Sequence, residues 1–122
     1  MTTPSEERII GLIARAARGP ERDGLFALWL VLRVAEGLLP PSPVSGRGHR
    51  RRLQALQGRI ATLALPAPLQ RALTAARVHL EPATAEAAAL VLAQLVAPAR
   101  EVLGAEAGDA VALAARGARV HL

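Results

Sequence analysis

At 122 residues, the chain has the length of one domain, and a chain of this size buries roughly two-thirds of the surface that its unfolded form exposes. It contains no cysteine, which excludes disulfides, thiol nucleophiles and thiolate metal sites. The net charge is +5 and all fifteen basic residues are arginine. A GC-rich genome accounts for that bias, so arginine usage by itself does not indicate phosphate binding.

The composition favours helices throughout the chain. Alanine and leucine together supply 47 residues, and both are strong helix formers, whereas β-branched and aromatic residues are too few for a sheet. The sequence therefore predicts an all-α fold, a compact bundle of five to six short helices in a single domain over residues 1–122.

The first predicted helix begins at a capping pattern and ends before a Gly-Pro pair. Thr3 precedes a proline and is followed three residues later by Glu6, which is the spacing of a capping box. Apolar and charged residues then alternate with helical periodicity as far as Arg18. Gly19-Pro20 ends this helix and opens the next.

The second predicted helix, from Pro20 to Leu38, is the one that we expect the others to pack around. All eight residues from Leu25 to Leu32 are apolar, so every side of that segment needs cover. It holds both large aromatic residues, Phe26 and Trp29. On its polar side, Arg33 and Glu36 are three residues apart, which predicts a structural ion pair.

A proline-rich linker over residues 39–46 separates this helix from the third. The third helix, Arg47 to Ala64, carries an apolar seam at alternating spacings of four and three, and a fourth helix ends near Leu80. The connection between them is short, so they should form a hairpin. The seam consists of His49, Leu53, Leu56, Ile60 and Leu63.

The last third of the chain contains one ambiguity. The apolar pattern of a fifth helix, Ala83 to Ala97, continues in phase beyond Pro98, but a similar segment thirty residues earlier begins a new helix at its proline. We expect a break or a sharp kink at Pro98. A final helix from Ala105 or Asp109 should end at Gly117, leaving 117–122 as a tail.

Charge is distributed unevenly along the chain. Residues 37–80 contain seven arginines and no acid, whereas the flanking segments carry balanced or net negative charge. The densest group lies in the first turns of the third helix, where cations oppose the helix dipole. This unfavourable placement has two interpretations: a solvated basic turn whose cost the rest of the fold absorbs, or a compensating anion, which is phosphate, an acidic partner surface or the acidic C-terminal third of the same chain. The candidate anion-binding residues are Arg47, His49, Arg50, Arg51, Arg52 and Arg59.

Signatures of catalysis and metal binding are missing from the sequence. The three histidines are far apart without a ligand motif, the serines lie at a cap or in the linker, and no phosphate-cradling glycine loop occurs. We therefore expect no cofactor and no enzymatic activity. The apolar runs are shorter than the ~20 residues of a membrane span, and the acidic N-terminus is unlike a signal peptide. These features favour a cytoplasmic protein that does not engage membranes.

Together these features predict a non-enzymatic interaction or oligomerisation protein, a small subunit of a larger assembly whose arginine-rich middle contacts an anionic partner. That partner is a protein or a second copy of the chain, since the second helix and the seam offer apolar surface as well as charge. The apolar interaction or core residues are Phe26, Trp29, Leu53, Leu56, Ile60 and Leu63. The alternative is a nucleic-acid-binding subunit of a nucleoprotein complex, although no stacking aromatic lies near the arginines.

Overall fold

The computed structural model describes residues 2–41 and 43–122, and these form six α-helices and no strand. Helices account for 78% of the structure, which confirms the prediction of an all-α bundle. In chain order the helices are α1 (Pro4–Arg15), α2 (Pro20–Glu36), α3 (Gly46–Thr62), α4 (Ala67–His79), α5 (Ala85–Leu103) and α6 (Ala105–Arg119).

Helix α2 is the centre of the bundle, as its apolar run predicts. It contacts each of the other five helices. Its residues from Leu25 to Leu32 are buried or half-buried, with Leu28, Val31 and Leu32 fully buried. The apolar surface that this segment would otherwise present to water is therefore covered within the chain.

Side-chain caps fix the starts of three helices. Thr3 accepts a hydrogen bond from the Glu6 N–H, Ser45 accepts from the Gly48 N–H, and Thr84 accepts from the Ala87 N–H. Each cap satisfies a donor that the first turn of a helix leaves without a partner. Helix α1 ends at Arg15, one turn earlier than the sequence predicts.

A backbone hydrogen bond brings together the two ends of the segment between α2 and α3. The Val44 N–H donates to the Gly37 carbonyl at 2.8 Å, and α3 packs directly against α2. Ser42, which belongs to the predicted linker, lies outside the described residues. The predicted hairpin of the third and fourth helices is present, with α3 and α4 in contact.

Helices α5 and α6 form the tightest pair, and here two predicted boundaries are wrong. Helix α5 passes through Pro98 without a break and ends at Gly104, whose φ of 100° suits glycine. Pro98 only removes the N–H that would donate to the Gln94 carbonyl, a loss that the surrounding packing outweighs. Helix α6 continues through Gly117 to Arg119 and buries Ala118, so the predicted tail begins three residues too early.

Candidate functional site

The apolar seam of α3 faces the inside of the molecule. Leu53, Leu56 and Ile60 are at most 6% exposed and belong to the core, while Leu63 packs against its edge. Phe26 and Trp29 are half-buried. The expected surplus of uncovered apolar surface on α2 and on the seam is therefore not found. The exposed large apolar side chains lie elsewhere, at Ile10, Val78, Leu90, Val120 and Leu122.

Three arginines of the predicted cluster lie together on the outer face of α3. Arg47, Arg50 and Arg51 are exposed, and their helical spacing of three and one places them opposite the buried seam. Among the described residues, none of the three has a carboxylate partner. We call these three residues the basic surface.

The other two arginines of the cluster lie over α2. Arg52 is half-buried, and its Nη1 donates to the Arg33 carbonyl at 3.2 Å. Its side chain passes so close to Gly37 that a Cβ at position 37 would overlap the guanidinium. The Arg59 guanidinium lies 5.5 Å from the centre of the Phe26 ring, a cation–π contact. Both arginines thus have intramolecular contacts, but neither has a carboxylate.

His49 is not part of an anion-binding surface, and its assignment to that set is corrected. Its side chain is 1% exposed, and its Nε2 lies 2.6 Å from the Leu80 carbonyl, which joins α3 to the end of α4. The other ring nitrogen, Nδ1, is buried with no partner. The position of His49 in the seam, four residues before Leu53, is the sequence signal for this burial.

Most acidic residues of the C-terminal third, residues 81–122, form ion pairs with arginines that lie outside α3. The described residues contain three ion pairs, with N···O distances of 3.1, 3.2 and 3.3 Å: Arg15–Glu106, Arg77–Glu81 and Arg100–Asp109. The first pair joins α1 to α6, and the third joins α5 to α6. The second pair links Arg77 of α4 to Glu81, just beyond the end of that helix. Only one of the seven arginines in residues 37–80, Arg77, is neutralised in this way.

A cleft of about 370 Å³ opens where the start of α1, the end of α2 and Arg52 of α3 meet. This volume falls within the roughly 300–1,000 Å³ of small-molecule sites. We call it the Trp29 cleft. Its lining residues are Thr2, Thr3, Glu6, Trp29, Arg33, Glu36, Gly37 and Arg52.

Glu36 is held at the wall of the Trp29 cleft by hydroxyl groups. Its Oε1 accepts from Thr3 at 3.0 Å, and both of its carboxylate oxygens lie 2.9 Å from the Ser5 hydroxyl. Burial raises the pKa of Glu36, and the nearby negative charge of Glu6 adds to that rise, while the two hydroxyls oppose it. The predicted Arg33–Glu36 ion pair is absent from the described residues.

Two further groups in the Trp29 cleft have no partner among the described residues. Glu6 is 8% exposed, and its carboxylate accepts no hydrogen bond, so the second half of the predicted capping box is not formed. The Trp29 Nε1 is buried and unpaired. The Arg33 guanidinium lies over the Trp29 ring, 5.2 Å from its centre. Sequence analysis did not identify this cleft because its walls come from three separate helices.

No family model, curated protein or solved structure shows significant similarity to this chain. None of the described helices combines the length and apolar content needed to cross a bilayer. Within the described part of the chain, no three histidine, aspartate or glutamate side chains are grouped so that they could hold a metal ion.

Proposed function

We propose that this protein is a non-enzymatic helical interaction protein whose basic surface, Arg47, Arg50 and Arg51, binds an acidic surface of a partner protein. The observation that carries the proposal is that these three exposed arginines have no carboxylate partner among the described residues. Exposed like charges on the first turns of a helix repel one another and oppose its dipole. An anionic partner relieves both costs.

A second copy of the chain is a weaker candidate for that partner. The acids of the C-terminal third would have to meet the basic surface, but Glu81, Glu106 and Asp109 already form ion pairs within the chain. Only Glu86 and Glu101 in that third have no such pair among the described residues. A different protein with a denser group of acids fits the basic surface better, and we therefore favour a hetero-complex in a larger assembly.

Nucleic acid is the second candidate partner, and the same three arginines favour it. They lie along one exposed helix face, where they could contact successive phosphates without reading bases. The half-buried aromatic residues Phe26 and Trp29 each have an arginine over one face of the ring, so bases would have to displace that arginine to stack there. This arrangement supports sequence-independent contacts at most.

The two candidates are separated by titrating the protein into two fluorescent probes, a polyglutamate peptide and an oligonucleotide. The test variant replaces Arg47, Arg50 and Arg51 by glutamine. The control replaces Arg18, Arg22 and Arg119, which are also exposed, and so removes the same charge elsewhere. Anisotropy measures affinity at about 50 and about 200 mM salt.

We expect the peptide to bind the natural protein and the control variant, and to bind the basic-surface variant at least about tenfold more weakly, as the loss of charge-assisted hydrogen bonds implies. Binding of the oligonucleotide alone, with an affinity that falls about 40-fold over that salt range for three phosphate contacts, would instead favour nucleic acid. If neither probe binds, or if the control loses as much affinity as the test variant, the basic surface is not a binding site.

A further inference from the structure

The Trp29 cleft brings together groups of opposite charge that do not neutralise one another. Glu36 is held by the hydroxyls of Thr3 and Ser5. Arg33 lies on the Trp29 ring, and Arg52 donates to the Arg33 carbonyl. Each of these three charged groups therefore has a neutral contact that fixes its position, and no ion pair joins a glutamate of the cleft to an arginine of the cleft within the described residues.

Two further residues that line the cleft have a polar group without a hydrogen-bond partner among the described residues. Glu6 lines the cleft, and its carboxylate accepts no hydrogen bond among the described residues. Trp29 also lines the cleft, and its Nε1 is buried without an acceptor among the described residues. An ionised carboxylate without a hydrogen-bond partner, in a cavity that also holds two guanidinium groups, points to a ligand that can pair with both kinds of charge.

We propose that the Trp29 cleft binds a small zwitterion, a free amino acid or a molecule like it. Its ammonium group would lie between the carboxylates of Glu6 and Glu36, and its carboxylate would meet the guanidinium groups of Arg33 and Arg52. This site is independent of the proposed partner-binding function, because none of the three arginines of the basic surface lines the cleft.

A ligand with only one kind of charge fits the cleft less well. A simple anion would approach two carboxylates, one of them almost fully buried, and a simple cation would approach two guanidinium groups. A zwitterion pairs with both sets at once. Charge-assisted hydrogen bonds of this kind are about twice as strong as neutral ones, so each end of the ligand contributes to affinity.

An adjoining groove suggests the side chain of a suitable probe. It has a volume of about 210 Å³ and shares Arg33 and Arg52 with the Trp29 cleft. Its other walls are the aliphatic side chains of Leu30, Val34, Ala55 and Leu56. Leucine, whose isobutyl group matches an aliphatic groove beside a charged cleft, is therefore the probe of choice.

Trp29 is the only tryptophan and the chain has no tyrosine, so intrinsic fluorescence reports on this cleft directly. We expect leucine to change the Trp29 emission saturably. N-acetyl-leucine, which lacks the ammonium, and leucinamide, which lacks the carboxylate, should each bind at least about tenfold more weakly. Amide NMR spectra of the same samples should show shifts at the start of α1 and the end of α2.

Two variants separate the roles of the charges. Glu6→Gln should weaken leucine about tenfold but leave N-acetyl-leucine unaffected, because only the ammonium has lost its partner. Arg33→Gln should weaken leucine about tenfold but leave leucinamide unaffected, because only the carboxylate of the ligand has lost its partner. Glu21→Gln and Arg18→Gln, which change exposed residues outside the cleft, are the matched controls and should bind leucine normally.

The proposal is overturned if folded protein shows neither a saturable emission change nor NMR shifts at leucine concentrations up to about 10 mM, because a specific site of this kind would be occupied at that concentration. It is also overturned if the two blocked analogues bind as well as leucine does. A basic-surface variant that still binds leucine but not the acidic peptide would show that the two sites are separate.

Discussion

Helix α3 and the pair formed by α5 and α6 differ in how they use charge and packing. The exposed arginines of α3 have no carboxylate partners among the described residues, whereas Arg100 of α5 pairs with Asp109 of α6. Helix α3 packs on α2 and α4 only, while α5 contacts α2, α4 and α6. Helices α5 and α6 therefore contribute to the core of the bundle, whereas the exposed arginines of α3 are available to a partner.

Two glycines show that α6 is closely packed where α3 is open. A Cβ added at Gly108 in α6 would lie 2.7 Å from the Cβ and 3.2 Å from the Cα of Arg100, so the two helices approach each other at this point. A Cβ added at Gly58 in α3 would meet nothing within 4 Å. Glycine is thus required by packing at position 108 and is only a cost to helix stability at position 58.

The largest effect we expect is from Gly108→Ala. Its methyl group would force the backbones of α5 and α6 apart, and overpacking of this kind costs about 1–3 kcal/mol, more than the roughly 1 kcal/mol that alanine gains in helix propensity. Urea unfolding followed by far-UV circular dichroism should show a net loss of up to about 2 kcal/mol.

Gly58→Ala is the matched control, and the same substitution there should have the opposite sign. It should raise the free energy of unfolding by roughly 0.5–1 kcal/mol, because the site is open and alanine restricts the unfolded chain. If both variants are stabilised, the α5–α6 contact is looser than the structure indicates, and the contrast between the two regions fails in its packing part.

Most of the fold follows from the sequence because it depends on local rules. The Thr3 cap, the start of α2 at Pro20 and the apolar run of α2 each depend on residues close together in the chain, and the structure confirms each of them. The errors at Pro98 and Gly117 have a common cause. Both residues disfavour a helix locally, but the packing of α5 on α6 continues past them and outweighs the local cost.

The candidate sites are less predictable because they depend on which residues meet in space. His49 lies within a run of arginines, and only the seam spacing indicates that its ring turns inward to the Leu80 carbonyl. Arg33 and Glu36 have the spacing of a helix ion pair, yet the Arg33 guanidinium lies over Trp29 of the same helix, and Glu36 accepts hydrogen bonds from Thr3 and Ser5 at the start of α1. Spacing alone does not reveal such competing partners.

Glu36→Gln tests the buried carboxylate of Glu36 in α2, which has hydroxyl partners but no ionic partner among the described residues. Burial raises the pKa of Glu36 above its usual 4.5, so between 4.5 and the raised value the folded protein binds more protons than the unfolded chain. Stability therefore falls as the pH increases through that interval. Relative to Glu36→Gln, the natural protein should be most stable below pH 4.5 and should lose that advantage towards neutral pH.

Thermal unfolding of the natural protein and the variant between about pH 4 and about pH 7 measures this difference, and the other carboxylates, being common to both, largely cancel. Glu86→Gln, which removes an exposed charge from α5, should show no comparable decline. A difference that stays constant or grows with pH would mean that the hydroxyls of Thr3 and Ser5 compensate fully for the burial of the Glu36 carboxylate.

The smallest effect we expect is from Asp109→Asn, which breaks the Arg100–Asp109 pair. Both side chains are more than half exposed, so the pair should contribute only about 0.2–1 kcal/mol, and less as salt screens it. A double-mutant cycle with Arg100→Gln in low and high salt isolates that coupling. A coupling well above 1 kcal/mol, or one that salt leaves unchanged, would show that charge as well as packing holds α5 to α6. The paired acids would then be structural, and even less available to the basic surface of a second copy.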